Sequence, residues 1–159
     1  NLKTIDLDEN SELEQISKGS FQSSSIEKII ISSNLRKINS FSFYNCTKLK
    51  TVMFAKNSNL HYIGESAFEN TSIETFYLPK NVNQIGIDAF SNCLRLKTFQ
   101  FAEDSELHSV DYFLFSESVV EKVIFPLHLL DIKVLFENCK SIIEIEIIGN
   151  SESQIMKKK

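Results

Sequence analysis

Three cysteines and three histidines are the side chains of this chain best suited to nucleophilic or metal-binding chemistry. They are Cys46, Cys93 and Cys139, and His61, His108 and His128. Thiolates and imidazoles act as metal ligands or nucleophiles only where they converge within a few ångströms. The chain carries no HExxH, GxSxG, P-loop or Rossmann motif that would bring such groups together locally. Any chemistry therefore depends on the elements that position these residues.

An apolar motif that recurs seven times sets those positions. It reads L/I-x-x-I/V/F-x-F/L/I and begins near Leu2, Ile26, Leu49, Ile73, Leu96, Val120 and Ile142. A fixed period in the twenties is typical of a solenoid, in which each repeat buries its apolar face by stacking on its neighbours. The unit is a pair of repeats about 47 residues long, because odd and even repeats differ in the length of the loop after the motif.

Two further columns are nearly constant along the chain. One holds phenylalanine in six repeats: Phe21, Phe43, Phe68, Phe90, Phe115 and Phe136. The other, eight residues after each start, holds Asn10, Asn34, Asn57, Asn81, Asp104, His128 and Asn150. We expect the phenylalanines to form the core. We expect the asparagine side chains to hydrogen-bond the backbone of the turn that leaves each strand.

The second half of the repeat resembles a known family. IGESAFENT at 63–71, IGIDAFSNC at 85–93 and INSFSFYNC at 38–46, with the string LxxIxLxxN before them, are similar to the BspA-like leucine-rich repeat of bacterial and protist surface proteins. The resemblance covers nearly the whole chain. It weakens near the end, where His128 replaces the column asparagine and Leu114 and Leu135 replace the small residue before phenylalanine.

The residues themselves predict a matching architecture. Segments such as TFYLP at 75–79 alternate inward and outward and are rich in β-branched and aromatic residues, which favours a short strand. About 18 residues lie between the end of one strand and the start of the next, too many for a hairpin, so successive strands should pair in parallel. We expect an α/β fold of the leucine-rich-repeat type: a right-handed solenoid, or horseshoe, with a parallel sheet on the concave face and short helical turns or loops on the convex face.

On this architecture the three cysteines occupy one column, two repeats apart. At ~4.8 Å per strand step their Cα atoms should be ~10 Å apart, beyond the ~7 Å limit for a disulfide. Odd repeats place Ser24, Thr71 and Ser118 in the same column. We therefore interpret the thiols as buried packing residues rather than ligands or nucleophiles.

Nothing else in the sequence favours catalysis. His61 and His108 share one surface column and should also be ~10 Å apart. Gly64 and Gly86 follow a column isoleucine, where we expect them to serve a tight backbone turn rather than a phosphate cradle. The sequence thus predicts a protein that is not an enzyme and has no metal and no cofactor.

The charge and hydropathy of the chain limit the classes of partner that it can bind. The net charge of −4 lacks the basic excess of a nucleic-acid-binding protein. The sequence contains no run of eighteen apolar residues, so we predict no transmembrane helix. We expect no nucleic-acid partner and no small-molecule substrate, with a monomer favoured.

The candidate binding surface consists of the outward-facing strand residues. The central column reads Asp6, Ile30, Met53, Tyr77, Gln100, Ile124 and Glu146, and the outer column reads Asp8, Ser32, Ala55, Pro79, Ala102, Pro126 and Ile148. The predicted binding residues are Ile30, Met53, Tyr77, Gln100, Ile124, Thr51, Thr75 and Thr98. Contiguous exposed apolar surface commonly marks an interaction site, with Tyr77 the best anchor. The alternative is that such residues merely favour the strand.

The resemblance implies a non-catalytic adhesion module at the cell surface, which binds host, matrix or other cell-surface proteins through its concave face. A structural spacer, or an intracellular protein-interaction scaffold in the cytoplasm, is the alternative. Sequons at Asn45 and Asn70 permit glycosylation only in a chain secreted by a eukaryote.

The sequence predicts one solenoid over residues 1–150, followed by a polar and basic tail at 151–159 that we expect to be disordered. The chain begins inside a repeat, so we expect a segment of a longer protein. Its end strands could pair with another chain. Asp6 and Asp8 at one end and Glu144 and Glu146 at the other should discourage such stacking.

Overall fold

The computed structural model describes residues 2–110, 113–129, 139, 141–149 and 154–157. Within these residues the chain folds into strands joined by turns, without helix. The strands are β1 (Thr4–Asp6), β2 (Gln15–Ile16), β3 (Lys28–Ile31), β4 (Lys37–Ile38), β5 (Thr51–Phe54), β6 (Tyr62–Ile63), β7 (Thr75–Leu78), β8 (Gln84–Ile85), β9 (Thr98–Phe101), β10 (Lys122–Pro126), β11 (Glu144–Ile148) and β12 (Gln154–Lys157).

The strands that open the repeats form the concave face, and the prediction of a parallel solenoid is confirmed. These concave strands are β1, β3, β5, β7, β9, β10 and β11, and their registers match equivalent residues of successive repeats, as in Ile29↔Val52 and Phe76↔Phe99. The pairing has a break, however, because the strands form one sheet β1-β3-β5 and another β7-β9-β10-β11-β12.

The segments that connect one concave strand to the next in sequence contain short strands. These form a second parallel sheet, which we did not predict. It has the order β2-β4-β6-β8 and is continuous across the repeats at which the concave sheet breaks. Each of its strands is two residues long. In the described residues, therefore, the return segments consist of these short strands and of turns, which corresponds to the loop form of the predicted convex face.

The phenylalanine column forms the core. Phe43, Phe68 and Phe90 are fully buried, and their rings are stacked with centroids 5.2 and 5.3 Å apart. Phe21 stacks on Phe43 at 5.4 Å and is only partly buried, because it belongs to the first repeat. Aromatic rings bury large areas, so this column supplies much of the stacking energy. Phe136 lies outside the described residues.

The cysteine column is also interior, as predicted. Cys46, Cys93 and Cys139 are buried and free. The Cys93 thiol donates to the Phe68 carbonyl at 3.2 Å, and the Thr71 hydroxyl donates to the same oxygen at 2.9 Å. Thiol and hydroxyl thus perform one task in adjacent repeats, which explains why they alternate in the column. Burial raises the pKa of the Cys46 and Cys93 thiols.

The asparagine column ties one repeat to the previous one. The Asn34 amide donates to the Ser11 carbonyl at 2.9 Å, and the Asn81 amide donates to the Ser58 carbonyl at 2.8 Å. The predicted bond to a turn backbone is confirmed at these two positions, but the turn belongs to the preceding repeat. Asp104, in the same column, forms an ion pair with Lys80 instead. Asn150 lies outside the described residues.

Gly64 and Gly86 are required by close approach and not by the tight turn that we expected. Neither has a positive φ angle. A Cβ atom on Gly64 would lie 2.3 Å from the Ser40 backbone nitrogen, and one on Gly86 would lie 2.3 Å from that of Glu65. Since such contacts are far inside van der Waals distance, only glycine lets these repeats stack so tightly.

The C-terminal edge departs at 154–157 from the predicted disordered tail, whose other residues, 151–153, 158 and 159, lie outside the described ones. Gln154–Lys157 form β12, which pairs antiparallel with β11 in registers such as Ile145↔Met156. The edge of β11 offers backbone groups that an added strand can pair with. The tail thereby covers the edge at which we had considered pairing with another chain.

Candidate binding surface

The structure places all eight predicted binding residues on the concave strands. Ladder pairs join Ile30 to Met53, and Gln100 to both Tyr77 and Ile124. In the flanking column Thr75 pairs with Thr98, while Thr51 pairs with Lys28. The residues therefore form two groups, one on each side of the sheet break. Their role in binding remains a prediction.

The exposure of these residues is uneven. Met53 and Tyr77 are the most open of the apolar ones, at 47% and 50% relative exposure. Ile30, Gln100 and Ile124 are half-buried on the same face. Because Met53 and Tyr77 are the members next to the break, the accessible apolar area is concentrated there.

The outer column differs from our expectation of an exposed edge. Ser32, Pro79, Ala102 and Pro126 are buried, and Ala55 is half-buried. After β9 the chain turns at this column, where the Ser105 N–H donates to the Ala102 carbonyl at 3.2 Å. Ala55 and Pro79 therefore contribute less to the surface than their positions in the sequence predicted.

The sheet break lies between β5 and β7, where two backbone bonds found at other boundaries are missing. In the third and fifth repeats the residue after the strand donates to the strand before it, as the Ala55 N–H does to the Ile31 carbonyl at 2.9 Å. Pro79 occupies the equivalent position in β7's repeat and has no N–H to give. Pro126 lacks the same N–H in the sixth repeat, yet β10 pairs with β9, so the missing proline bond does not open the sheet by itself. At the other end of the same strands, the described backbone lacks the bond from Glu74 to Lys50 that its equivalents form, such as Lys97 N–H to the Glu74 carbonyl at 2.9 Å.

A groove of about 550 Å³ opens at this break. We call it the break groove, and its lining residues include Met53, Phe54, Lys56, Tyr77, Pro79 and Lys80. Met53 and Tyr77 were predicted from their columns. Lys56, Lys80 and the turns that carry them were missed, although a signal was present: they are adjacent lysines at equivalent positions of successive repeats in an acidic chain.

The charges on this surface lie at its margins. Lys122 contacts both Glu144 and Glu146 at 2.8 Å, and the hydrogen bond to Glu144 contributes most to raising the pKa of Lys122. The carboxylates that we expected to repel a neighbour at this end are thus paired. At the break groove, Lys80 lies 3.3 Å from Asp104.

The side chains suited to metal binding do not converge in the described residues. No group of three or more His, Cys, Asp or Glu side chains lies close enough to hold a metal ion in this part of the chain. His108 and His128 are exposed, and His61 is half-buried. Nor does any helix of the described segments have the length and apolarity to cross a membrane.

Comparisons with known proteins agree with this architecture. The chain matches the family model described as BspA type Leucine rich repeat region (6 copies), over residues 1–97 and again over 61–157. No curated protein sequence matches it.

Two solved structures have a similar fold. The pneumococcal vaccine antigen PcpA superimposes with a TM-score of 0.73 at 23% identity, over 81% of this chain and 36% of that one. A leucine rich cell surface protein from Faecalibacterium prausnitzii A2-165 superimposes with a TM-score of 0.58 at 18% identity, over 95% of this chain and 49% of that one. The chain thus spans less than half the length of either, and at these identities the likeness shows the fold alone.

Proposed function

Since the chain belongs to the family of BspA type leucine-rich repeat regions, we propose that it is a non-catalytic module that binds a protein partner through its concave face. Repeat solenoids commonly present an extended concave surface to their partners. The observation that supports this function most directly is the exposure of Met53 and Tyr77 on adjacent concave strands. Exposed apolar residues on a rigid sheet are typical of an interaction site.

The composition of the face supports a protein partner over a polyanion. From β3 to β10 the central column carries no charge: its members are Ile30, Met53, Tyr77, Gln100 and Ile124. A nucleic-acid-binding surface needs a basic stripe instead. Apolar and amide side chains rimmed by charges are the usual composition of a protein interface.

The partner we propose is an extracellular-matrix or cell-surface protein, and the setting is the cell surface. The two proteins of similar fold support this, since one is described as a vaccine antigen and the other as a cell surface protein. We propose the same binding activity for any longer protein that contains these repeats.

The test is binding of the chain to a panel of extracellular-matrix and cell-surface proteins, measured by biolayer interferometry. The variant combines Ile30→Asp with Tyr77→Asp. Its matched control combines Leu94→Asp with Ile143→Asp, which are 60% and 56% exposed and lie outside the concave strands. Circular dichroism verifies that both variants fold.

We expect the chain and the control variant to bind at least one panel member, and the concave variant to lose that binding. Equal binding by all three proteins would move the interface off the concave face. Binding by none would contradict the adhesion module and favour a structural spacer.

A further inference from the structure

The break groove exposes a residue that belongs to the core. Phe54 is half-buried, whereas its equivalents Ile31, Leu78 and Phe101 are fully buried. The exposure arises because β5 and β7 do not pair, so no neighbouring strand covers this side of Phe54. Together with Met53 and Tyr77 it gives the groove an apolar floor of a size to hold a side chain or two.

The rim of the groove is basic, and its surroundings are acidic. Lys56 and Lys80 are exposed at equivalent positions of the third and fourth repeats. The same position holds Glu9 in the first repeat and Glu103 in the fifth. Positive charge on this rim therefore coincides with the opening, within a chain of net charge −4.

The two lysines differ in availability. Lys80 is engaged by Asp104 at 3.3 Å, which places a carboxylate at the fifth-repeat end of the groove. Lys56 has no ion-pair partner among the residues described. One cation next to an apolar floor, with Asp104 and Glu103 on one side, is complementary to a single carboxylate and not to a run of them.

We propose that the break groove binds an extended segment of a partner protein in which an aliphatic or aromatic side chain stands next to a single carboxylate. The apolar side chain covers Phe54 between Met53 and Tyr77, and the carboxylate pairs with the Lys56 ammonium. This inference rests on the proposed function and adds the class of sequence that the concave face recognises.

The probes are three short peptides of the form acetyl-Gly-Ser-Phe-X-Ser-Gly-amide, in which X is Glu, Gln or Lys. Each is titrated into ¹⁵N-labelled chain, and backbone amide shifts are followed by NMR. We expect the Glu peptide to shift the amide signals of residues 53–57, 77, 78, 80 and 81. The Gln peptide should bind about two- to fivefold more weakly, the range of one exposed ion pair.

Two charge-reversal variants sharpen the test. Lys56→Glu should make the Lys peptide the preferred ligand, whereas Lys48→Glu, at another exposed lysine, should leave the preference for Glu unchanged. Equal affinity for the three peptides, no shifts in the groove, or an unaltered preference in Lys56→Glu would overturn the inference. The inference would also be overturned if light scattering detected a dimer and the peptides moved these signals only by dissociating it.

The panel of matrix and surface proteins separates this inference from the proposed function. If Lys56→Glu leaves a partner's affinity unchanged while the Ile30→Asp and Tyr77→Asp variant abolishes binding, the groove inference fails and the concave-face function stands. If both variants bind as tightly as the unmodified chain, both proposals fail. A loss of affinity in Lys56→Glu that Lys48→Glu does not share supports the groove.

Discussion

The boundary between the third and fourth repeats is closed on one side of the solenoid and open on the other. At the second sheet, β6 and β8 pair through Ile63↔Ile85, and the Gly86 N–H donates to the Ile63 carbonyl at 2.8 Å. At the concave face, β5 and β7 do not pair, and the break groove lies between them.

This difference shows that backbone ladders are not what holds the open side together. Between the two sides lies an aromatic cluster, in which Phe68 stacks on Phe90 at 5.3 Å and Phe54 meets Phe76 edge-on at 5.6 Å. Ring packing stabilises the stack without requiring strand pairing. A solenoid can therefore open a groove on its binding face and keep its repeats in register.

The largest expected effect follows from removing the aromatic packing. Phe68→Ala should lower the free energy of unfolding by ~3–5 kcal/mol, because it empties a fully buried site in the middle of the stack. Phe54→Ala, at the half-buried groove position, should cost clearly less. Urea denaturation followed by circular dichroism gives both values. Equal losses would mean that Phe54 is as much part of the core as Phe68, and would contradict an open side.

The tight contact of the closed side is tested by Gly86→Ala. The new Cβ would lie 2.3 Å from the Glu65 nitrogen, so the repeats must shift apart, at a cost of about 1–3 kcal/mol. Ser17→Ala, in the same column of the first repeat where the side chain is exposed, is the control and should be neutral. If the two substitutions cost the same in thermal unfolding, close approach is not what selects glycine here.

Much of the fold could be predicted because each repeat carries the same local signal. The apolar columns gave the concave strands and their parallel pairing, and the constancy of Phe43, Phe68 and Phe90 gave the core. The interchange of cysteine with serine and threonine correctly predicted a buried polar column.

The features that were missed depend on contacts between repeats. A two-residue strand such as Gln84–Ile85 is too short to show alternation, so the second sheet has no signature in the sequence. At the break Pro79 has no N–H to donate and Glu74 makes no bond to Lys50, and these are contacts between repeats. The exposed lysines of the groove lie in turns, and we had assigned no role to these lysines. For the same reason, the candidate site was predicted only in its strand residues.

The column of cysteine, serine and threonine in the return segments can be tested at alkaline pH. Burial raises the pKa of the Cys93 thiol, so the native state keeps a proton that the unfolded thiol loses near its ordinary value of about 8.5. The resulting stabilisation is complete below that pH and is lost as pH rises above it. Cys93→Ser, which retains a donor for the Phe68 carbonyl, should cost about 1 kcal/mol or less at neutral pH.

Urea denaturation at about pH 7 and about pH 10 compares the variant with the unmodified chain across the thiol titration. We expect the unmodified chain to lose more stability between the two conditions than Cys93→Ser does. An identical loss in both would show that the Cys93 proton does not contribute to the closed side.

Pro79→Ala tests whether the missing N–H contributes to the opening. Removing proline costs ~0.4–1 kcal/mol through the unfolded chain, while a restored N–H that bonds the Phe54 carbonyl returns about 0.5–1.5 kcal/mol. The net change should be small, but the new amide at position 79 should be protected from hydrogen exchange and the groove signals should shift. Pro126→Ala, at the equivalent position of the sixth repeat, should leave the groove signals in place. Rapid exchange at position 79 would show that more than the missing N–H keeps β5 and β7 apart.

The smallest expected effect is at Tyr77, and it decides between a binding residue and a mere strand former. Its side chain is half exposed on the open side, so Tyr77→Ala should change the free energy of unfolding by no more than about 0.5 kcal/mol. The alternative is that the tyrosine only favours the strand, and β-propensities span ~1 kcal/mol. In that case Tyr77→Ala should lower the free energy of unfolding more than Tyr77→Thr, which keeps a β-favouring residue. We expect the two to be equally stable and equally impaired in binding, because both lose the exposed aromatic ring that lines the break groove. A stable, fully binding Tyr77→Thr protein would return Tyr77 to the role of a strand residue and leave the break groove without its anchor.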